Sequence, residues 1–319
     1  MYNDIKLEKG LYNLSGKSFL QALETLDPSE NYSDSPLAKL DAYERQLKRF
    51  DIKVSGKDCD NVEKFFVSTE SAVLFPEFIR RSLKKGFDNA ILSSVIAAQS
   101  KCESNSYIGC VLDDSAAYST TAQGAELPAS SVTESSSAVT LSKYGRIVNA
   151  SYESVRLQKL DVFAVMLSGI GVKLANSVIA NAVSVLLSGA VPTSAASLSY
   201  SAITSLYGQF RDFDMNALIV SPAVAAQILA MTQMLEVKAD GMGRIALPFG
   251  AQLVKTPQIA DDTLVGIDKD FALEFISSSD IIMETDKLIN RQLDSISISI
   301  NCGFRKLTPD AVKVLKITA

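Results

Sequence analysis

From Ser151 to Gly189 the chain keeps a helical apolar period for almost forty residues, between a Ser/Thr-rich segment and a loop marked by Pro192. Phe163, Leu167, Ile170, Leu174, Val178, Ala182 and Val185 recur at spacings of three and four, which sets them along one face of a helix. At about 1.5 Å per residue such a rod is roughly 55 Å long, more than a compact single-layer domain needs. A bilayer span is the first alternative. Asp161, Lys173, Asn176 and Asn181 interrupt the run at intervals that a hydrocarbon core tolerates only at a cost, and the run is read as a soluble helix. Gly169 and Gly171 lie inside it, each costing about 1 kcal/mol against Ala. The pair points to a bend or to a close packing partner.

The 319 residues suffice for one large or two ordinary domains. With 21% charged and 47% hydrophobic residues the composition is globular, which argues against wholesale disorder. There is no histidine and no tryptophan, so Ser-His-Asp and Cys-His catalysis are excluded. Cys59, Cys102, Cys110 and Cys302 show no C-x-x-C spacing and are read as free thiols in a reducing cytoplasm. A net charge of −5 gives no sign of a nucleic-acid reader, so any contact with DNA is expected to be weak and local. The N-terminal residues lack the basic and apolar regions of a signal peptide, and intracellular synthesis without export is expected.

Along the chain, residues 1–60 are polar and loop-rich, with one helix expected from Ser35 as N-cap and Pro36 as first helical residue, carrying Leu40, Tyr43, Leu47 and Phe50 on one face. Lys53 to Asn61 is a candidate boundary. A second helix is expected from Pro76 to before Gly86, with Arg80, Arg81, Lys84 and Lys85 in its last turn, either as a capped end or as a contact for an acidic neighbour or phosphate backbone. Ala90–Ala98 reads as a buried strand or short helix. Residues 107–152 are rich in Ser, Thr, Ala and Gly, and a flexible linker competes with a long hairpin in which Ile108–Leu112 pairs with Val139–Ala150; the hairpin is preferred because apolar residues persist on both flanks. Such a projection cannot bury its own surface and needs another subunit.

Beyond Gly189 and Pro192, Ala195–Phe210 reads as a helix with Ile203, Leu206, Tyr207 and Phe210 inward. Ala217–Val220 reads as a buried strand, and Ser221 with Pro222 caps a helix carrying Val224, Ile228, Met231 and Leu235. Gly241, Gly243 and Pro248 mark a loop, and residues 253–255, 263–267 and 272–276 read as short strands with Asp-rich turns between them. Ile296, Ile298, Ile300, Cys302 and Phe304 alternate with small and polar residues, the pattern of a half-buried strand. Thr308 and Pro309 start a helical turn, and Val312–Ile317 is an apolar segment expected to be tied into a sheet.

Nothing forms a catalytic constellation. Ser168 to Lys173 has phosphate-loop character but lacks the G-x-x-x-x-G-K-[ST] spacing and sits within a helix. Asp212 with Asp214, Asp113 with Asp114, and Asp261 with Asp262 could each seed a cation site or an acid pair, and read first as solvated turns. Composition leaves a Ser/Lys hydrolase open, but no G-x-S-x-G or S-x-x-K context with a plausible pocket appears. No catalytic, cofactor-binding or metal-ligating residue is assigned, no cofactor is expected, and the chain is read as a non-enzyme.

Taken together, the order of parts resembles the major capsid proteins of tailed bacteriophages, which share the Hong Kong 97 capsid fold with encapsulin shells and herpesvirus capsid floors. FFVSTESAVLFPEFIRRSLKKG at 65–86 looks like the family's N-terminal arm, and KYGRIVNASYESV at 143–155 is similar to its passage from extended loop to spine helix. ALIVSPAVAAQIL at 217–229 and LVKTPQIADDTLVGIDKDFALEF at 253–275 look like the apical domain, and RQLDSISISINCGFRKLTPDAVKVL at 291–315 like the peripheral sheet. The resemblance covers about residues 65–319 and rests on order rather than on one motif.

It implies an α+β fold with a long spine helix, a peripheral sheet, an extended hairpin loop, an N-terminal arm and an α/β apical domain. The segments would be an N-terminal extension at 1–60, scaffold-like but retained, an arm at 61–106, an extended loop at 107–150, a peripheral domain at 151–192 with 277–319, and an apical domain at 193–276. It further implies self-assembly as hexamers and pentamers into an icosahedral shell around double-stranded DNA, built in the bacterial host cytoplasm. Portal proteins, with decoration or scaffolding proteins, would be partners, DNA contact would be weak and non-specific, and no membrane would be involved. Some family members cross-link a loop lysine to a neighbour's asparagine, but no lysine lies between Lys101 and Lys143, so no such staple is expected. An encapsulin-like compartment and a Ser-rich surface or filament protein are the alternatives.

Overall fold

The structure is a computed structural model that describes residues 2–14, 17–33, 35–113, 120–151, 155–234, 245–278, 280–288 and 293–318. In chain order it contains helices α1 (Phe19–Leu26), α2 (Ala42–Arg49), α3 (Thr69–Ala72) and α4 (Phe75–Ala90), then strands β1 (Ala98–Lys101), β2 (Ser106–Tyr107), β3 (Cys110–Asp113), β4 (Ser131–Glu134), β5 (Val139–Thr140) and β6 (Ser142–Ser151). There follow α5 (Leu160–Leu187), β7 (Thr193–Ala195), α6 (Tyr200–Tyr207), β8 (Ala217–Val220), α7 (Pro222–Leu229), β9 (Gln252–Lys255), β10 (Thr263–Ile267), β11 (Leu273–Ser277), β12 (Ile282–Leu288), β13 (Leu293–Lys306) and β14 (Val312–Ile317). These build two compact units, one from residues 1–90, 145–175 and 281–299, the other from 91–144, 176–280 and 300–319.

In the first unit the α2 start differs from expectation. Asp41, not Ser35, is the N-cap: its carboxylate accepts from Glu44 N, while the Glu44 carboxylate accepts from Asp41 N. This capping box satisfies two orphan donors at once, whereas the Ser35 hydroxyl accepts only from Leu37 N in a local turn. Arg45 of α2 is fully buried, its Nε 2.6 Å from Asp27 Oδ2, and its Nη1 and Nη2 donate to the Leu40 and Asp27 carbonyls. Tyr43 Oη donates to the Leu74 carbonyl and Tyr12 Oη to that of Val73, so the N-terminal segment is packed on the approach to α4. Residues 53–61, read as a boundary, lie inside this unit: Leu160 N donates to the Asp60 carbonyl and Lys159 Nζ to that of Cys59.

Helix α4 does not stop at Gly86 but runs to Ala90, so the basic cluster lies within it. The fully buried Glu77 carboxylate accepts from Arg80 Nε at 2.8 Å and Arg81 Nε at 3.1 Å, and Arg81 also pairs with Asp41. Helix α5 begins at Leu160, later than the apolar run suggested; at 28 residues it is about 42 Å long. Ser151 ends strand β6, which pairs with β13, and the polar sequence before Leu160 supplies no inner face. Residues 152–154 of that run lie outside the described residues. Phe163, Leu167, Leu174, Val178 and Ala182 are buried as expected, while Ile170 and Val185 lie at the stripe's margin and Ala175, Ile179, Val183 and Leu186 fill it.

Gly171 has the close partner that the sequence left open. A methyl group on it would overlap the Leu83 carbonyl oxygen, and one on Gly86 would overlap the Ser168 carbonyl oxygen. Helices α4 and α5 therefore cross backbone against backbone, with Ser168 Oγ donating to the Ser82 carbonyl at 2.8 Å and Phe163 stacked near Phe75 and Phe78. Gly169 faces open space.

In the second unit a five-stranded sheet runs in the order β7-β14-β10-β8-β9. Strand β8 is buried along its whole length, and Ser221 caps α7 with Pro222 in its first turn, as read from sequence. Val224 and Ile228 join Ile203, Leu206, Met215, Leu218 and Leu264 in the core; Met231 is half-buried against it, and Leu235, Gly241 and Gly243 lie outside the described residues. The expected helix over Ala195–Phe210 is shorter, because Thr193–Ala195 pairs in parallel with β14 and Ser199 caps α6; Tyr207 remains exposed. Residues 90–98 form neither a strand nor a helix of any length, but a 3-10 turn at Ser93–Val95 leading to β1, which pairs in parallel with β11. Pro309–Ala311 is a 3-10 turn and β14 lies between β7 and β10.

Replacing Gly86 or Gly171 by Ala is expected to destabilise the subunit by about 2–3 kcal/mol in urea unfolding, since two backbones must separate. Gly169→Ala is expected to be neutral or stabilising by about 1 kcal/mol. Asp27→Ala, which leaves the buried Arg45 guanidinium with only the longer contact to Glu24 at 3.8 Å as counter-charge, is expected to cost about 3 kcal/mol in the same measurement.

Candidate assembly surfaces

The second unit carries a hairpin. Strand β2 pairs antiparallel with β5, and β3 with β4 in the register Cys110↔Glu134 to Asp113↔Ser131. The hairpin thus exists, but its return arm differs from the expected one. Ile108–Leu112 faces 131–134 rather than 139–150, because residues 142–151 are taken up as β6 beside β13. Residues 114–119 lie outside the described residues. A two-stranded ribbon of this kind has no core, and Ile108, Leu112, Leu127 and Val132 are more than half exposed.

A second apolar surface belongs to the first unit. Val162, Val165, Met166 and Val172 recur at helical spacing on the side of α5 away from its buried stripe, with Val165 72% exposed. Leu157 and Val67, both largely exposed, add to the apolar surface of this unit. Helix α5 is long and apolar enough to cross a membrane, at a mean hydropathy of 1.8, yet its inner stripe is packed on α4. Single exposed apolar side chains are ordinary, but a contiguous stripe marks an interaction surface.

Among the candidate carboxylates, Asp262 is held by local partners. Asp262 accepts from Thr263 Oγ1 and pairs with Lys316, which holds its carboxyl below the usual range. The Asp214 amide donates to Asp268, whose buried carboxylate also accepts from Asn216 Nδ2. Asp114 lies outside the described residues, Ser168–Lys173 sits within α5, and among the described residues no three metal-ligating side chains cluster. Reading by sequence missed the burial of Glu77, which pairs with Arg80 and Arg81 of its own helix, and that of Glu274, whose partners lie far along the chain.

All four cysteines are free thiols, with Cys59 and Cys302 buried and Cys110 exposed. Burial pushes the Cys302 thiol up from its ordinary 9.0 to about 12. The folded state then resists a deprotonation that the unfolded chain undergoes freely, so this contribution to stability is intact below pH 9.0 and is lost as pH rises toward 12. The phenols of half-buried Tyr12 and buried Tyr43, also raised by burial, act in the same direction. Cys302→Ala is expected to flatten the alkaline limb of stability against pH, whatever it does to the absolute level. Maleimide at pH 8 is expected to label Cys110 and to spare Cys59 and Cys302 until the protein is unfolded.

Comparison with known proteins places these surfaces in a family. A model of phage capsid proteins matches residues 133–311, more than half of the chain. No curated protein matches. Among solved structures, a virus-like particle from Pyrococcus furiosus aligns at a TM-score of 0.54 and 12% identity, covering 76% of this chain and 99% of that one. A structure from Microbacterium phage Oxtober96 aligns at 0.52 and 12% identity, covering 72% and 91%. The holo-SrpI encapsulin complex from Synechococcus elongatus aligns at 0.52 and 12% identity, covering 69% and 84%. At such identities the likeness is one of fold, and that fold is the Hong Kong 97-like capsid fold. The family match supplies the rest: this chain belongs to the phage capsid protein family.

Proposed function

We propose that the chain is the major capsid protein of a tailed bacteriophage, assembling as hexamers and pentamers into an icosahedral shell that holds the double-stranded DNA genome. The observation that carries this reading is the family match together with apolar surface left uncovered on a projecting hairpin and along α5. A repeated contact between such surfaces on identical subunits generates closed assemblies. In this reading residues 61–106 act as the arm, 107–150 as the extended loop, 151–192 with 277–319 as the peripheral domain and 193–276 as the apical domain. Residues 1–60 stay in the shell as part of the folded subunit, which the buried Arg45–Asp27 pair supports. The protein works without catalysis. Its place is the virion capsid, its assembly occurs in the host cytoplasm, and portal, scaffolding and decoration proteins are its further partners. DNA would touch it only through weak, non-specific contacts, in keeping with the net charge of −5.

An encapsulin-like compartment is the second reading, favoured by the likeness in fold to the holo-SrpI encapsulin complex. Electron microscopy of the expressed protein is expected to show closed icosahedral particles; filaments or isolated subunits would overturn both readings. Nuclease-protected double-stranded DNA within particles from infected cells separates a virion from a compartment carrying a protein cargo. On denaturing electrophoresis such particles are expected to give a single 34.3 kDa band, and ladders of multiples would sink the expectation that no covalent staple forms.

A further inference from the structure

The hairpin of the second unit is rooted on one buried carboxylate. Glu274 of β11 is 3% exposed, and three hydrogen bonds and a further ion-pair contact converge on it. Its Oε1 accepts from Ser100 Oγ of β1 at 2.5 Å and from Tyr107 Oη at the hairpin's base at 3.0 Å. Its Oε2 accepts from Arg305 Nε at 3.0 Å and pairs with Arg305 Nη2 at 2.9 Å. The remaining nitrogen, Arg305 Nη1, donates to the Cys110 carbonyl at 3.0 Å, where β3 leaves the base. Gly109 is what allows this: a methyl group there would overlap the guanidinium of Arg305. The carboxylate has its full complement of acceptors used, and the guanidinium bridges the sheet strand β13 to the hairpin strand β3.

Against this cluster the backbone hold on the base is slight. Strands β2 and β5 pair over only two residues each, and the amide of Leu141 donates to Asn105. The distal ribbon pairs within itself, over Cys110–Asp113 and Ser131–Glu134. A ribbon stiff along its length and weakly joined at its root pivots at the root, and side chains at the root set its angle.

We propose that the Glu274–Arg305 pair, with Tyr107 and Gly109, is a latch that fixes the angle of the hairpin to its sheet and that can open and close without unfolding either. Opening exchanges the bond from Tyr107 to Glu274 and that from Arg305 to the Cys110 carbonyl for water, and leaves the cross-strand Glu274–Arg305 pair, the β3–β4 ladder and the β1–β11–β13 sheet intact. The consequence for a shell rests on the capsid reading. A hairpin reaching a neighbouring copy in both five-fold and six-fold surroundings must take more than one angle, and a side-chain latch permits this where a continuous strand pairing would not. Arg305 and Glu274 are positioning residues that act through the hairpin.

Hydrogen exchange on the full-length subunit, read by mass spectrometry, tests the latch without reference to assembly. Glu274→Gln is nearly isosteric but turns a donor toward Arg305; it is expected to speed exchange of the amides in 106–113 and 131–141 by about tenfold, with the β8, β10 and β14 amides unchanged. Arg305→Lys, which can reach Glu274 or the Cys110 carbonyl but cannot fork to both, is expected to fall between wild type and Glu274→Gln. Gly109→Ala is expected to reproduce the Glu274→Gln pattern. Unchanged exchange in the hairpin would overturn the proposal, and so would acceleration spread over both sheets, since the pair would then hold up the whole fold. In assembly, the Glu274→Gln protein is expected to yield particles of more than one diameter where wild type yields one. If wild type forms no particles the capsid reading fails, while the exchange result still decides the latch.

Discussion

Two helices that touch through backbone rather than side chains set a distance that little else in the first unit can adjust. At Gly86 and Gly171 the axes of α4 and α5 come closer than any Cβ would permit, and this depth brings Phe75 and Phe78 level with Phe163. It also aims the Ser168 hydroxyl at a carbonyl that α4 has already used within its own ladder. Interiors are packed too densely for such a contact to be loosened locally, so the orientation of α4 follows from that of α5. The N-terminal segment follows in turn, since Tyr12 and Tyr43 bond to the carbonyls of the turn that begins α4, and Arg81 reaches back to Asp41.

How much of this could be read beforehand depends on whether the cause was local. Strand β8, the Ser221 cap and the Pro309 turn were legible because each is decided by residues within a few positions of one another. The capping box at Asp41 carried an equally local signal, D-x-x-E, and was masked by the Ser-Pro pair ahead of it. The hairpin's existence was legible from apolar flanks around a turn-like spacer, but its register was not. Whether residues 142–151 close the hairpin or join β13 is decided by a strand about 150 residues away. The same holds for the Glu274 cluster, where Ser100 and Tyr107 meet a carboxylate more than 160 positions downstream. Gly171 was visible as an anomaly, and only its partner gave it a meaning.

Several buried charges are paired inside, as Arg45 with Asp27, Glu77 with two arginines and Glu274 with Arg305. Apolar side chains are left bare outside, on the ribbon and along α5. Buried pairs of this kind add little net stability over a hydrophobic equivalent, but an unmatched member is costly, so they select one arrangement over near alternatives.

Each unit draws its chain from three separated stretches, and this has a bearing on what happens to incomplete molecules. The first unit needs residues 281–299 and the second needs residues from 300 onward, including β14 in the interior of its sheet. Contacts so distant in sequence form late and all together. A chain interrupted at any point before about residue 280 therefore lacks a part of both units. It presents no finished hairpin root, because Arg305, which holds the Cys110 carbonyl to the sheet, comes later in the chain.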